Sequence, residues 1–343
     1  MMHILVTGAG GFIARHLLQR HLLPWVDQGL CRLTLTDLRL PTVPLVNGLM
    51  DPLRAARVRC VPGDLSDPLT WATLMADPVD RIFHLAAMVS GAAEQHYEAG
   101  LRLNLQGSLA GLDHCRAQYE RGGPRVRFIY ASSIAVYGPP LPAHIDDATP
   151  LNPRLSYGAH KRMIEVMMDD LSRRQCLEGR GLRLSGIVVR PRAPNGALSG
   201  FNSDLLREPL NGQSITCPVL PSACLWLSSA EVAVDQLWQL SQISQDAWTR
   251  AGPSHGGASP CVFNAPAWPL RVNRLVAALG EIDPQAPARV QYDPAAPLQA
   301  QFGDWPESAA FDRAQAWDLP SDRARFKDDV VAFVRAALQA SLL

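Results

Sequence analysis

The sequence predicts an α/β protein: a doubly wound parallel sheet followed by a smaller, mixed α/β C-terminal domain. Three observations predict it. Short β-branched or apolar runs alternate with longer helical patterns through the first 190 residues. A glycine-rich turn joins the first run to the first helical pattern. After Pro191 prolines and glycines become frequent and strand signals short. Such alternation marks βαβ units, whose parallel strands need helical crossovers.

The elements follow in order. "HILVTG" (3–8) reads as a strand ending in glycine, and "FIARHLLQRHL" (12–22) has helical spacing. "RLTLTD" (32–37) and "VRCVPGD" (58–64) are strands, and "WATLMA" (71–76) is helical. "RIFHLA" (81–86) is a buried strand, and "LNLQGSLAGLDHCRAQ" (103–118) a helix. "VRFIYASS" (126–133) is a strand, "SYGAHKRMIEVMMDDLSRRQ" (156–175) a long helix, and "LSGIVVRP" (184–191) a strand stopped by proline. Helical patterns recur at 230–245, 271–280 and 321–341, and 250–260 has the composition of a surface loop. Residues 1–190 are therefore expected to form the first domain, with about 215–250 returning to it. Residues 191–343 mainly form a second, substrate-binding domain.

Bulk properties exclude several function classes. A chain of 343 residues that is 47% hydrophobic can bury a large core. Thirty-two basic residues balance thirty-two acidic ones, so no net charge steers the protein to nucleic acid or an anionic membrane. Apolar stretches stop short of the roughly 18 residues that a spanning helix needs. "MMHILVTGAG" lacks the basic start of a signal peptide and runs directly into a strand. The seven cysteines are scattered with no CxxC pair, which predicts free thiols in a reducing cytoplasm and no metal site.

The chemistry begins at "TGAGGFIA". Gly8 and Gly11 allow a tight turn and a close backbone approach, and Phe12 and Ile13 open a helix whose free N–H groups face a phosphate. Ala14 takes the third glycine position, where its small side chain still permits helix–strand packing. Asp37 ends the second strand, where a carboxylate accepts bonds from the ribose hydroxyls and repels a 2′-phosphate. The expected cofactor is therefore NAD, not NADP. Asp37 equally fits a strand-end turn, and Arg39 lies close enough to blur the preference. In "GDLSD", Asp64 and Leu65 either border an adenine or form a simple Asx turn. Together these features make the first domain Rossmann-type.

A second set lies downstream. "FIYASS" ends at Ser133, and Tyr157 and Lys161 follow on a helix, four residues apart and so on one face. Ligands in doubly wound folds bind outside the C-terminal strand ends, so Ser133 points at the cofactor. A free tyrosine is a poor base near neutrality, with a pKa of about 10. A Lys161 ammonium and an oxidised nicotinamide would both favour the phenolate. Tyr157 then takes the proton of a substrate hydroxyl that Ser133 also holds. A solvated helix face bearing YxxxK is the bland alternative.

The set "TGAGGFIA", Asp37, "HLAA" (84–87), Asn104, "SSIAVYG" (132–138) and "YGAHK" (157–161) resembles the extended short-chain dehydrogenase/reductase family, which includes NAD-dependent epimerases and dehydratases. The resemblance covers roughly residues 1–195. It implies that Ser133, Tyr157 and Lys161 are catalytic, with Lys161 also touching the nicotinamide ribose. It implies that Leu85, Ala86 and Ala87 pass along the cofactor and that Asn104 supports it. It also implies a homodimer through helices 103–118 and 156–175.

Within the family, "VSGAAE", "RPRAPN", "SGF", "REPL" and "LW" resemble the D-erythronate dehydrogenase subgroup. That resemblance implies NAD-dependent oxidation of a small 2-hydroxy sugar acid to its 2-oxo acid. It also implies substrate contacts from Ser90, Ser133, Asn195, Ser199 and Phe201. Arg190, Arg192 and Arg207 are the candidates for the carboxylate, although Arg190 ends a buried strand and has an equally structural reading. Arg192, Ala193 and Cys224 depart from the subgroup, which leads one to expect glycine, lysine and arginine there. The alternatives are a nucleotide-sugar epimerase or dehydratase with tightly bound NAD, and a non-catalytic NAD-sensing protein.

Overall fold

The computed structural model describes residues 1–40, 56–192, 197–250 and 259–340. The first-half strands are β1 (Met2–Thr7), β2 (Cys31–Asp37), β3 (Val58–Pro62), β4 (Arg81–His84), β5 (Val126–Ser133), β6 (His144–Ile145), β7 (Leu177–Leu184) and β8 (Gly186–Val188). The second half supplies β9 (Ile215–Cys217), β10 (Cys224–Ser229), β11 (Val262–Asn264), β12 (Trp268–Arg271), β13 (Val290–Tyr292) and β14 (Ser308–Ala309).

Seven of these form one parallel sheet in the order β11-β7-β5-β4-β1-β2-β3. The chain starts in the middle at β1, winds outward to β3, then returns to the far side of β1 as β4. This reversal opens a crevice between the C-terminal ends of β1 and β4, where Thr7 pairs with His84. Helical segments from 12 to 27 and Ala230–Gln242 bury one face through Leu17, Leu18, Ala233 and Leu237. The helices Pro68–Leu74, Ser108–Glu120 and Ser156–Arg173 cover the other through Trp71, Leu112, Ile164 and Met168. Apolar burial on both faces is what strands such as ILV in β1 require.

The expected strand at 184–191 is divided in two. β7 belongs to the large sheet, whereas β8 pairs with β10 in a separate three-stranded sheet with β12. "LEGRGLRL" reads as a loop because of its glycines and charges, yet seven of its eight residues are buried. Tertiary partners explain this. Arg183 donates to the Glu165 carboxylate at 3.0 and 3.2 Å, and Arg180 donates to the carbonyls of Leu240 and Ile243 at 2.9 and 2.5 Å. A buried charge is tolerated when it is paired and hydrogen-bonded.

The second core gathers Leu205, Leu227, Leu275, Phe333 and their neighbours. Of the segment 215–250, β9 and β10 pair within this smaller unit, whereas helix Ala230–Gln242 packs on the large sheet. The edge strand β11 also joins the large sheet, and no alternation announces it. The helical pattern at 321–341 is broken into Asp322–Arg325 and Val330–Ala340, with Lys327 and Asp328 at positive φ between them. No helix of the described residues is long and apolar enough to cross a membrane.

Candidate active site

The crevice begins where β1 runs into Gly8 at φ +69°. A Cβ there would lie 2.6 Å from the Ala86 nitrogen, so glycine lets the first turn press against the segment after β4. Gly10 is equally constrained, since its Cβ would lie 2.5 Å from the Arg39 carbonyl. Gly10 N–H donates to Asp37 Oδ2 at 3.0 Å, and Arg39 N–H to Asp37 Oδ1 at 3.1 Å. Asp37 is thereby fixed beside the glycine turn. Helical structure starts at Phe12, and its first N–H groups face the crevice, a cradle that fits the diphosphate of a dinucleotide. Arg15 lines the same cleft with its Nε unpaired among the described residues, and the sequence reading missed it.

Other expected cofactor residues take differing places. Gly8, Gly11, Phe12, Ile13, Leu85 and Ala87 line the cleft, whereas Ala86 packs beneath Gly8. Asp64 accepts the Ser66 N–H at 2.8 Å in an Asx turn, and Leu65 is buried in the core beside it. Asn104 does not line the cleft. Its amide exchanges two bonds with the Met88 backbone at 2.7 and 2.8 Å, which pins the segment following "HLAA". It acts on the cleft wall through Met88.

Ser133 ends β5, and a short 3-10 turn, Ile134–Val136, follows it. The helix Ser156–Arg173 abuts that turn at Gly158, where a Cβ would lie 2.0 Å from the Ala135 carbonyl oxygen. This contact brings Tyr157 to Ser133. Burial pushes the Tyr157 phenol up, while the Arg190 guanidinium and a hydrogen bond with Ser133 pull it back. Lys161 is buried one turn along. Its Nζ donates to the Ala131 carbonyl at 2.7 Å and lies 4.5 Å from the Tyr130 ring centroid and 5.7 Å from that of Tyr157. Desolvation lowers the Lys161 pKa to about 7, and the nearby Glu165 opposes the fall. Arg190 thus joins Lys161 as a basic group beside Tyr157, and the sequence reading did not place it there. Below Lys161, His84 bridges Thr7 Oγ1 and Ser108 Oγ at 2.9 Å each. Burial and Lys161 push its pKa down to about 3, so it is a neutral structural bridge.

The cleft runs from the glycine turn past Tyr157 as one cavity of about 460 Å³. Ser90, Ser133 and Ser199 line it as expected. Phe201 stands behind it, edge-on to the lining residue Phe302, with ring centroids 6.3 Å apart. Asn195 lies outside the described residues. Arg192 and Arg207 do not line the cavity, which corrects their expected role. Both donate to Glu208 Oε1 at 2.9 Å, and Arg207 also pairs with Asp204. Arg190 does line the cavity. Sequence reasoning also missed Ser185, Asn202, Gln301 and Trp305, which carry no local motif and meet only in the folded chain.

Comparison with known proteins agrees with this geometry. Residues 4–222 match the model of the NAD dependent epimerase/dehydratase family. The chain is 39% identical to D-erythronate dehydrogenase of Cupriavidus necator, over 98% of this chain and 99% of that protein. It is 34% identical to D-erythronate dehydrogenase of Haemophilus influenzae, over 83% and 84%. A nucleoside-diphosphate-sugar epimerase of Agrobacterium tumefaciens superposes with a TM-score of 0.85 at 31% identity, covering 99% of this chain and 94% of that one. A glycine cradle, a carboxylate at the end of β2 and a Ser–Tyr–Lys set at the strand ends thus stand on a chain that belongs to the NAD-dependent epimerase/dehydratase family, with NAD as its cofactor.

Proposed function

We propose that the protein is an NAD-dependent dehydrogenase that oxidises a small 2-hydroxy sugar acid of the D-erythronate type to its 2-oxo acid. The observation that carries this is the convergence of Ser133, Tyr157 and Lys161 on a cavity that also holds a guanidinium, Arg190. The full-length similarity to D-erythronate dehydrogenases supports it.

Bound NAD supplies a two-electron acceptor at the cleft end of the site. The chain's own residues handle the proton and the pose. Ser133 hydrogen-bonds the substrate hydroxyl and orients it. Tyr157, as the phenolate that the nearby Arg190 guanidinium and the positive ring of bound NAD would favour, receives that hydroxyl proton as general base. Lys161, held by the Ala131 carbonyl, keeps a donor at the ribose end beneath Tyr157. Leu155, Trp226 and Phe302 exclude water from the reacting centre. Asp37 selects the unphosphorylated ribose.

The same reading makes the protein a cytoplasmic homodimer. None of its seven cysteines forms a disulfide, which suits a reducing compartment. The helix Ser156–Arg173 exposes Met163, Val166 and Met167 as one apolar face, which a second copy would cover. Sedimentation of the purified protein tests the dimer.

The activity test is NADH absorbance with purified protein, NAD and a panel of four- to six-carbon aldonic and uronic acids, with nucleotide sugars in parallel. Turnover on D-erythronate or a close relative is the expected result. Conversion of a nucleotide sugar without net NADH would replace this reading with an epimerase.

A further inference from the structure

The substrate end of the cavity has a built corner where β7 passes into β8. Ser185 occupies the junction, and Gly186 follows it. A Cβ at Gly186 would lie 2.8 Å from Asn202 Nδ2, so the glycine lets the Asn202 amide lie against this backbone. Asn202 and Ser185 are 6% and 9% exposed, and both line the cavity. Asn202 Oδ1 and Ser185 Oγ have no hydrogen-bond partner among the described residues. Buried polar atoms in folded proteins are almost always paired, so two orphans on residues that line one cavity point to a ligand that completes them.

Arg190 stands at the same corner. Its backbone N–H donates to Ser203 Oγ at 3.0 Å and its Nε to the Ile187 carbonyl at 3.2 Å, which fixes the side chain from behind. Its terminal amines meet no carboxylate among the described residues. The other cations stand elsewhere: Arg192 and Arg207 pair with Glu208, Lys161 donates to the Ala131 carbonyl, and Arg15 sits on the helix that follows the glycine turn. Cys224 is buried in an apolar cluster with the lining residues Trp226 and Trp305 and adds no charge. The substrate end therefore offers one guanidinium, with Asn202 and Ser185 as the neutral hydrogen-bonding side chains that still lack partners among the described residues.

We infer that this corner recognises a polyhydroxy monocarboxylate, with Arg190 holding the carboxylate and Asn202 and Ser185 bonding hydroxyls further along the carbon chain. The inference rests on the hydroxy-acid reading above and names the residues that impose it. Arg190 and Tyr157 share this part of the cavity. A carboxylate seated on Arg190 therefore brings the adjacent carbon's hydroxyl to Tyr157 and Ser133, which sets oxidation at the 2-position. A second carboxylate finds no partner. An alkyl tail leaves Asn202 and Ser185 unpaired, and sites built to hydrogen-bond a hydroxyl reject analogues that lack it.

The test is calorimetric binding to the NADH-loaded protein of three probes: D-erythronate, erythritol and 2-hydroxybutyrate. NADH formation is followed on the same preparations. Wild type should bind erythronate about ten- to a hundred-fold more tightly than either of the others, the range expected for hydrogen bonds to charged groups. Arg190→Met should erase the preference over erythritol, and Asn202→Ala the preference over 2-hydroxybutyrate. Arg190→Lys keeps the charge without the planar fork and should fall between, which guards against misfolding of the Met variant. Thermal melts accompany each variant. Equal binding of the three probes, no binding of any acid, or erythronate affinity unchanged in both Arg190 variants overturns the inference. Selective, Arg190-dependent binding without NADH formation would leave it standing and remove the oxidation reading instead.

Discussion

Gly158 and Ala135 are in contact distance only because Gly158 has no side chain: a Cβ would lie 2.0 Å from the Ala135 carbonyl oxygen. This contact sets the separation between the turn after Ser133 and the helix that carries Tyr157 and Lys161. Gly158→Ala should push the helix off the turn. Overpacking of this kind typically costs about 1–3 kcal/mol. We expect a lower Tm and at least a ten-fold loss in kcat, while NADH still binds at the glycine turn. Unchanged kcat with a lowered Tm would show that the spacing does not govern the chemistry.

Tyr157 is the only residue of the proposed set whose proton leaves or enters during the reaction. Tyr157→Phe keeps the ring and removes the hydroxyl. The rate should fall by about two orders of magnitude or more, the range for losing general acid–base catalysis. Full activity in this variant, measured as NADH production at saturating substrate, would refute the assignment.

Asp37 accepts the Gly10 N–H, and its proposed second role is to accept a ribose hydroxyl. Removing the carboxylate removes the repulsion against a 2′-phosphate. The ratio of kcat/KM for NAD to that for NADP should therefore fall in Asp37→Ala. An unchanged ratio would assign Asp37 to the turn alone.

Lys161 carries a pH dependence whose sign follows from burial. Its folded pKa is lowered to about 7, from the ordinary lysine value of 10.5. Between these two values the unfolded chain binds the proton and the folded chain does not, so stability rises with pH in that window. The penalty of burying the charge is fully present below about pH 7. The Tm of Lys161→Met relative to wild type should accordingly be most favourable near neutrality and decline toward pH 10. A Tm difference that stays flat across this range would mean that Lys161 remains protonated, held by Glu165 and the Ala131 carbonyl.

The parts of the site that were legible in the sequence are those made by short-range geometry. The turn at Gly8 and Gly11 needs glycine for a steric reason that a strand–turn–helix context makes visible. Tyr157 and Lys161 share a helix face by their spacing alone. At Asp64 and Asn104 spacing did not show the bonds the side chains make, to an adjacent turn and to the Met88 backbone. β7 was hidden because its arginines look solvated until Glu165 and the Leu240 and Ile243 carbonyls are known to face them.

Three arginines within eighteen positions show the boundary most clearly. Sequence alone determined that a cation was available near the second-domain entry, and it determined the glycine turn, the Ser–Tyr–Lys order and the parallel sheet that aligns them. Only the tertiary structure decided which of these cations lines the cavity. Glu208 draws Arg192 and Arg207 to itself, whereas Arg190 is left in the cavity beside Tyr157. Charge pairing is a long-range outcome of how helix and strand pack, and a guanidinium's partner cannot be read from its neighbours in the chain.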